Sequence, residues 1–232
     1  MNDARGATER AWREIAEIDA RLERGEIDEE GWHAEMAALV VPAYLAGDNP
    51  RAQSGHSGDE ARWEQARRLL VDAIDRDGTF LDVGCASGYL METLQAWAAE
   101  DGHAVEPYGL EISPELADLA RARLPHWADR IWVGNALHWT PPRRFDFVRA
   151  GLEYVPPPRR ADLVRHLLDE ACEPGGRLIL GVRNELRDTD PLEDEVAGWG
   201  FEIAGRTERP HSNPRVVRHA FWIDARGALP KI

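Results

Sequence analysis

The sequence predicts an α/β protein whose sheet is mostly parallel and ends in an antiparallel hairpin. From residue 79 onward, short apolar segments typical of strands alternate with amphipathic segments typical of helices. That order is expected when helices cover both faces of a parallel sheet. The last two apolar segments are joined by a turn at 211–214, which predicts an antiparallel pair of strands. Before residue 59 the pattern is helical only.

Two helices and a polar loop are predicted before the sheet. The first helix is expected to stop at Gly25, and Asp28 is placed to cap the second helix. Pro42 and then the turn residues 47–50 are expected to break this second helix. The segment 51–58 is polar, small and flexible, and we expect it to fold over a bound ligand as a lid. The apolar residues at helical spacing in these two helices are Trp12, Ile15, Ile18, Leu22, Trp32, Met36, Leu39 and Val40.

The elements from residue 59 onward follow one another regularly. Asp59 is placed to cap a helix that leads into the first strand, and Ser113 is placed to cap a later helix. We therefore predict a helical cap segment over 1–58 and a ligand-binding domain over 59–232. The predicted strands cover 79–83, 108–112, 130–133, 145–148, 177–182, 201–206 and 216–223, and the later helices cover 159–171 and 191–198.

Composition limits the class of protein. A chain of 232 residues can form one domain with an appendage and bury a full core. The net charge of −14 disfavours attraction to nucleic acid or to anionic membranes. Because the N-terminus has no signal-peptide core and no uncharged run could span a membrane, we expect a cytoplasmic protein. Cys85 and Cys172 give neither a metal-binding spacing nor a disulfide framework, so no metal site is predicted.

The most informative segment joins the first predicted strand to the next helix. An apolar run ends at Asp82, and a turn containing Gly84 and Gly88 precedes an amphipathic helix. In an α/β fold this junction places backbone N–H groups and a helix N-terminus beside a ligand. We expect both glycines to let the backbone approach that ligand, because a Cβ would occupy the space. Glu111 closes the next strand, where an acid typically binds a ribose.

These residues resemble the class I S-adenosylmethionine-dependent methyltransferases, whose first motif is an acid followed by glycines at alternate positions. The usual middle glycine is Ala86 in this chain, so the loop is Gly-x-Ala-x-Gly. The resemblance spans roughly 59–224. It implies the Rossmann-like methyltransferase fold with seven strands, S-adenosylmethionine as the cofactor, and a small-molecule methyl acceptor as the partner rather than a nucleic acid or a membrane.

The resemblance also implies roles for individual residues. The acid and loop after the first strand would contact the methionine moiety, and the acid after the second strand would bind both ribose hydroxyls. Residues after the second and third strands would contact the adenine, and the residue after the fourth strand would approach the methyl group. The implied cofactor-binding residues are Asp82, Gly84, Cys85, Ala86, Gly88, Glu111, Ile112, Asn135, Ala136 and Arg149.

Methyl transfer from a sulfonium depends mainly on positioning and on the exclusion of water. A general base is useful for hydroxyl acceptors, and the candidates are His56, His138, Glu153 and Tyr154. We expect His33 to be a surface residue. The helical segment before residue 59 offers Trp32, His33, Met36 and Tyr44 as a partly apolar surface for a small acceptor.

Several other functions fit the sequence less well. A nicotinamide-dependent oxidoreductase is the weaker alternative, because the Gly-x-Gly-x-x-Gly loop is absent. Metal-dependent catechol-type methyltransferases carry acids where Arg149 stands, and methyltransferases of DNA bases carry an Asn/Asp-Pro-Pro-aromatic motif that is absent after the fourth strand. Methylation of protein or RNA has no positive feature. A non-catalytic module that binds the cofactor as a regulator or partner subunit stays open, because Ala86 departs from the family motif and no candidate base is compelling.

Overall fold

Seven strands form one sheet in the computed structural model, which describes residues 2–186, 191–211 and 213–226. In chain order the strands are β1 (Gly78–Val83), β2 (Val105–Glu111), β3 (Ile131–Val133), β4 (Phe145–Ala150), β5 (Cys172–Leu186), β6 (Gly205–Pro210) and β7 (Val216–Asp224). Their order across the sheet is β3-β2-β1-β4-β5-β7-β6. The first five strands pair in parallel, and β7 pairs antiparallel with both β5 and β6. The predicted fold class is confirmed.

Helices precede the sheet and connect its parallel strands. They are α1 (Asn2–Glu23), α2 (Glu29–Leu45), α3 (Glu60–Arg67), α4 (Tyr89–Glu100), α5 (Pro114–Arg123), α6 (Arg160–His166) and α7 (Pro191–Gly198). The side chains of residues 2–12, which include Trp12, and of residues 183–186 lie outside the described part of the chain. Among the described helices, none is both long enough and apolar enough to cross a membrane.

Both faces of the sheet are buried, as the alternation of side chains along a strand requires. On one face, Leu81, Val148 and Leu180 belong to a single apolar cluster. On the other face, Phe80 and Phe147 pack with residues from the segment that precedes β1. The loops at the carboxyl ends of the strands therefore extend from a sheet that is buried on both faces.

The second helix begins as predicted but ends later. The Asp28 side chain accepts a hydrogen bond from the Gly31 N–H at 2.8 Å, which caps α2. The helix continues through Pro42, contrary to prediction, but ends at Leu45, just before the predicted breaking residues 47–50. A proline has a helical φ and lacks only its own N–H, so its carbonyl can still accept the Ala46 N–H at 3.0 Å.

The predicted strand at 201–206 is displaced along the chain. The strand at this edge of the sheet is β6, which begins at Gly205. The apolar residues Phe201 and Ile203 that suggested a strand lie in an irregular segment and pack against the main apolar cluster. The apolar residues at this point therefore reflect packing against the core rather than pairing in a strand.

Candidate functional site

A cavity of about 840 Å³ lies at the carboxyl ends of β1, β2 and β4. In open α/β sheets this is the edge at which ligands bind. Helix α2 covers the cavity on one side, since Trp32, His33, Met36 and Tyr44 all line it. Of the residues singled out from the sequence, those that line the cavity are His56, Asp82, Gly84, Cys85, Ala86, Glu111, Ile112, Asn135, Ala136, Arg149, Glu153 and Tyr154.

The loop after β1 exposes its backbone to the cavity at Gly84. This glycine has a φ of +78°, and an added Cβ would meet no protein atom within 4 Å. Ala86 also has a positive φ, of 47°. A left-handed conformation costs a residue with a Cβ about 1–2 kcal/mol. The Ala86 N–H offsets that cost by donating to Glu111 Oε2 at 2.8 Å, so the structure accommodates alanine in place of the middle glycine.

Gly88 does not line the cavity. The expectation that it lets the backbone approach a ligand is wrong. Its φ is +73°, but an added Cβ would lie 2.7 Å from Leu124 Cδ1 rather than in open space. Gly88 is the N-cap residue of α4. This glycine therefore permits close packing between the start of α4 and the residue that follows α5.

Glu111 ties the two loops at this edge of the sheet together. Its Oε2 accepts the Ala86 N–H, and its Oε1 accepts the Ser113 N–H at 3.0 Å. Burial raises the pKa of Glu111, while these backbone N–H groups oppose the rise. Each carboxylate oxygen can accept a further hydrogen bond, so the side chain is held in place and still has acceptor capacity toward the cavity.

Asp82 is buried and ion-paired. Its side chain is 2% exposed, and its Oδ1 lies 3.2 Å from Arg149 Nη1 on the neighbouring strand. The Arg149 Nε donates to the Gly181 carbonyl at 2.7 Å. Burial raises the pKa of Asp82 to about 6, although Arg149 opposes that rise. The pair therefore depends on its cation to keep the carboxylate ionised near neutral pH.

The far side of the cavity is formed by the residues that follow β2 and β3. Ile112 is 44% exposed on the cavity wall, which is unusual for a large apolar side chain. Asn135 Oδ1 accepts the Leu137 N–H at 3.0 Å, and the Gly134 N–H donates to the Glu111 carbonyl at 2.9 Å. These two bonds hold the turn after β3 beside the end of β2.

The segment that the sequence suggested as a flexible lid contains an ordered turn. Residues Ala52–Ser54 form a turn of 3₁₀ helix, and Ser54 Oγ lies 2.8 Å from Ser87 Oγ in the loop after β1. The Tyr44 side chain passes so close to Gly55 that an added Cβ would overlap its hydroxyl group. Tyr44 Oη then lies 3.2 Å from Tyr154 Oη, so α2 and the segment after β4 meet over the cavity.

His33 and His138 are not placed as the sequence suggested, whereas His56 lines the cavity. His138 lies outside the cavity, because its side chain is 62% exposed and Nε2 lies 3.0 Å from Glu29 Oε1. His33, expected at the surface, lines the cavity, and its buried Nε2 has no hydrogen-bond partner among the described residues. His56 packs edge-on against Trp63 at 5.4 Å between ring centroids. Burial, with nearby arginines, lowers the pKa of His56 to about 4.

Sequence reasoning did not single out Arg67, the most unusual cation of the cavity wall. Its guanidinium carbon lies 5.3 Å from the centroid of the Trp63 ring. Burial, assisted by Arg149, lowers the pKa of Arg67 to about 10. One arginine among many scattered arginines carries no signal in the sequence, because its position depends on how α3 packs against the sheet.

A family model described as a methyltransferase domain matches residues 56–221. The chain belongs to this methyltransferase family. It is a class I S-adenosylmethionine-dependent methyltransferase, as the sequence predicted, and S-adenosylmethionine is the cofactor of these enzymes. No curated protein matches the sequence.

Solved structures of two methyltransferases and of one cyclase share the fold at low identity. The N-methyltransferase NodS from Bradyrhizobium japonicum WM9, in complex with S-adenosylhomocysteine, is 16% identical with a TM-score of 0.56 over 84% of this chain and 98% of NodS. The 1,6-didemethyltoxoflavin-N1-methyltransferase of Burkholderia thailandensis is 16% identical with a TM-score of 0.58 over 86% of this methyltransferase and 91% of that chain. The [4+2]-cyclase SpnF is also similar, at 16% identity and a TM-score of 0.54 over 81% and 93% of the two chains.

Proposed function

We propose that this methyltransferase transfers the methyl group of S-adenosylmethionine to a small-molecule acceptor without a metal ion. The observation that carries the proposal is the cavity at the carboxyl edge of the sheet, where Gly84, Glu111 and Ile112 lie together. When bound there, the cofactor supplies an already activated sulfonium methyl group. The task left to the chain is to position both ligands and to exclude water.

The space, the hydrogen-bonding groups and the apolar surface of the cavity fit the cofactor. The open side of Gly84 leaves room beside the loop after β1, where Asp82, Cys85 and Ala86 would contact the methionine moiety. The remaining acceptor capacity of Glu111 suits the two ribose hydroxyls. The exposed Ile112, with Asn135 and Ala136 opposite, would contact the adenine.

Two of the implied cofactor contacts change in this proposal. Gly88 is assigned to packing, because Leu124 fills the space beside it. Arg149 is assigned to holding Asp82, because its guanidinium donates to that carboxylate and to the Gly181 carbonyl. Arg149 also supports metal-independence, since it places a cation where metal-dependent relatives carry acids.

The acceptor would lie between α2 and the segment after β4. Trp32, Met36, Leu152 and Leu163 give this part of the cavity apolar walls. Small-molecule sites commonly occupy about 300–1,000 Å³, and the cavity of about 840 Å³ must also hold the cofactor. The space left is suited to a small acceptor.

Two matched glycine variants separate the ligand-binding role of the loop from its packing role. Both Gly84→Ala and Gly88→Ala place a methyl group on a residue with positive φ, which is expected to cost each about 1–2 kcal/mol of stability. Gly88→Ala also crowds Leu124 Cδ1 at 2.7 Å, so its total loss of stability is expected to be larger. Only the Gly84→Ala methyl group projects into the cavity. We expect it to weaken S-adenosylhomocysteine binding in calorimetry at least tenfold more than Gly88→Ala does. Equal affinities for the two variants would contradict the placement of the cofactor beside Gly84.

Proton removal from a hydroxyl acceptor is assigned to Glu153. Glu153 lines the cavity in the segment directly after β4, whereas the His56 imidazole packs edge-on against Trp63 beside arginines that oppose its protonation. His138 lies outside the cavity, and burial raises the pKa of Tyr154, so Tyr154 is a neutral hydrogen-bond donor near neutral pH. Glu153→Gln is expected to lower kcat about 100-fold or more with a hydroxyl acceptor, whereas His56→Asn changes kcat by less than tenfold. The opposite ranking would return the base role to His56.

The activity is tested by measuring S-adenosylhomocysteine formation with pools of small molecules, with and without EDTA. We expect one pool to support turnover and EDTA to leave that turnover unchanged. Loss of activity in EDTA that a divalent cation restores would overturn metal-independence. Tight cofactor binding without product from any pool, peptide or RNA would instead indicate the non-catalytic module. A cytoplasmic location and the absence of nucleic-acid partners stay predictions of the sequence.

A further inference from the structure

Arginines gather at one end of the cavity, although the chain carries a net charge of −14. Arg62, Arg67 and Arg218 all line it, and we call these three residues the arginine subsite. Trp63 lies between Arg67 and His56, at 5.3 Å from the guanidinium carbon and 5.4 Å from the imidazole centroid. An added Cβ on Gly58 would lie 2.6 Å from Arg62 Cδ and 2.8 Å from His56 Nε2, so Arg62 and His56 flank the same backbone position.

None of the three guanidiniums of the arginine subsite has a carboxylate within 4 Å among the described residues. Arg67 makes only a long hydrogen bond, at 3.4 Å, to the Ala66 carbonyl, and Arg218 donates to the Pro210 carbonyl. The neighbouring Arg149, by contrast, is paired with Asp82. Arg218 is buried and Arg67 is half-buried, whereas Arg62 is exposed. Buried cations are normally paired because desolvation is costly, so Arg67 and Arg218 without a carboxylate partner indicate a site for an anion.

The positive charge of the arginine subsite lowers the pKa values of neighbouring groups. Arg67, Arg62 and Arg218 all act with burial to lower the pKa of His56. Arg62 also assists burial in lowering the pKa of Arg218. The titrations therefore agree with the geometry that positive charge is concentrated here, with no carboxylate of the described residues within ion-pairing distance.

The cofactor can pair with at most one of these three guanidiniums, through its single carboxylate. The methionine moiety of S-adenosylmethionine carries one carboxylate, but it also carries an ammonium and a sulfonium, so its total charge is positive. The negative charge that matches the remaining guanidiniums must therefore come from the second ligand. We propose that the methyl acceptor is an anion whose carboxylate or phosphate group binds the arginine subsite. This inference rests on the proposed function and adds the chemical class of the acceptor to it.

The arginine subsite also sets how the acceptor lies. Guanidinium groups bind carboxylates and phosphates through paired N–H donors, which fixes both position and orientation. Tyr44 and Glu153 both act on the charge of Arg67, which places them near that end of the cavity. The anionic group would therefore anchor one end of the acceptor, and the apolar walls around Met36 and Leu163 would hold the remainder.

The direct test is calorimetry on protein saturated with S-adenosylhomocysteine, with pyrophosphate and benzoate as probes of the two anion types. We expect at least one probe to bind the wild type in a one-to-one ratio. Arg67→Met and Arg62→Gln should each weaken binding of the probe about tenfold to 100-fold, the usual effect of losing a charge-assisted hydrogen bond. Arg62 is exposed, so its substitution should leave the fold intact. Arg165→Gln, a surface variant with the same charge change and a side chain 55% exposed, should leave probe binding unchanged. Binding of neither probe, or equal weakening by Arg165→Gln, would overturn the inference.

A second measurement identifies which ligand supplies the anion. S-adenosylhomocysteine and 5′-methylthioadenosine, which lacks the amino-acid moiety, are titrated into the wild type and Arg67→Met. We expect Arg67→Met to bind both with wild-type affinity. A loss confined to S-adenosylhomocysteine would assign Arg67 to the cofactor carboxylate and overturn its role in acceptor binding.

Turnover gives the final discrimination. When acceptor pools are sorted by charge, product is expected from the acidic pool, and Arg62→Gln is expected to raise KM about tenfold or more while kcat changes little. Product only from neutral or cationic acceptors would overturn the inference and leave the proposed function intact. Failure of the wild type to bind S-adenosylhomocysteine would count against the proposed function itself.

Discussion

Arg149→Met is expected to destabilise the protein by about 3–5 kcal/mol at pH 8, because it leaves the buried Asp82 carboxylate without its cation. Methionine keeps most of the volume, so the loss reflects charge rather than a cavity. Urea unfolding at fixed pH measures the free energy of unfolding. Arg165→Met is the control, since its ion pair with Asp162 is 3.6 Å long and exposed, and such pairs contribute only about 0–1 kcal/mol.

The pH dependence of Arg149→Met identifies the cause. The pKa of Asp82 is about 6 in the folded protein even beside Arg149, against 3.8 for the unperturbed group, and removing the cation raises it further. Protonation of Asp82 therefore favours the folded state, and the stability deficit of the variant should narrow as the pH falls from 8 toward 5. The double variant Arg149→Met/Asp82→Asn should lack this pH dependence. A deficit that stays constant with pH would show that the ion pair is not the source of the loss.

Glu111→Ala is expected to weaken S-adenosylhomocysteine binding at least about 100-fold, because two hydrogen bonds to a carboxylate contribute about 1.5 kcal/mol each or more. The variant also frees the Ala86 and Ser113 N–H groups that Glu111 holds. Calorimetry measures the affinity, and circular dichroism at the same temperature checks that the variant is folded.

Two controls define what the Glu111 result means. Glu115→Ala removes an exposed glutamate from the start of α5, outside the cavity, and should leave the affinity unchanged. Titration with 5′-methylthioadenosine should show the same loss as S-adenosylhomocysteine, since both ligands carry the ribose. An unchanged affinity in folded Glu111→Ala would refute the assignment of the ribose to this carboxylate.

The sheet could be predicted from the sequence because its signals are local. Strand-like runs, turn residues and caps such as Asp28 act on their immediate neighbours, and the resemblance of the Asp82–Gly88 segment placed them in a known order. The errors in the predicted helix and strand boundaries lie where tertiary packing, and not local sequence, determines the structure. Pro42 sits in the last turn of α2 without ending it, and Phe201 is buried without joining a strand.

Much of the site depends on contacts between distant parts of the chain. Gly88 leaves space for the Leu124 side chain, and His138 lies within hydrogen-bonding distance of Glu29 on α2. The arginine subsite combines two residues from α3 with one from β7, which reaches the cavity only because it pairs with β5. No spacing in the sequence could have predicted that assembly. The domain boundary near residue 59 also stays a prediction, although residues of α2 line the cavity.

The measurement that tests the account most directly is calorimetric titration of the wild-type protein with S-adenosylhomocysteine, alongside NAD⁺ under the same conditions. A cavity built around Gly84, Glu111 and Ile112 predicts one-to-one binding of S-adenosylhomocysteine and no detectable binding of NAD⁺. Binding of NAD⁺ in preference, or no binding of S-adenosylhomocysteine at millimolar concentration, would contradict the cofactor site described above.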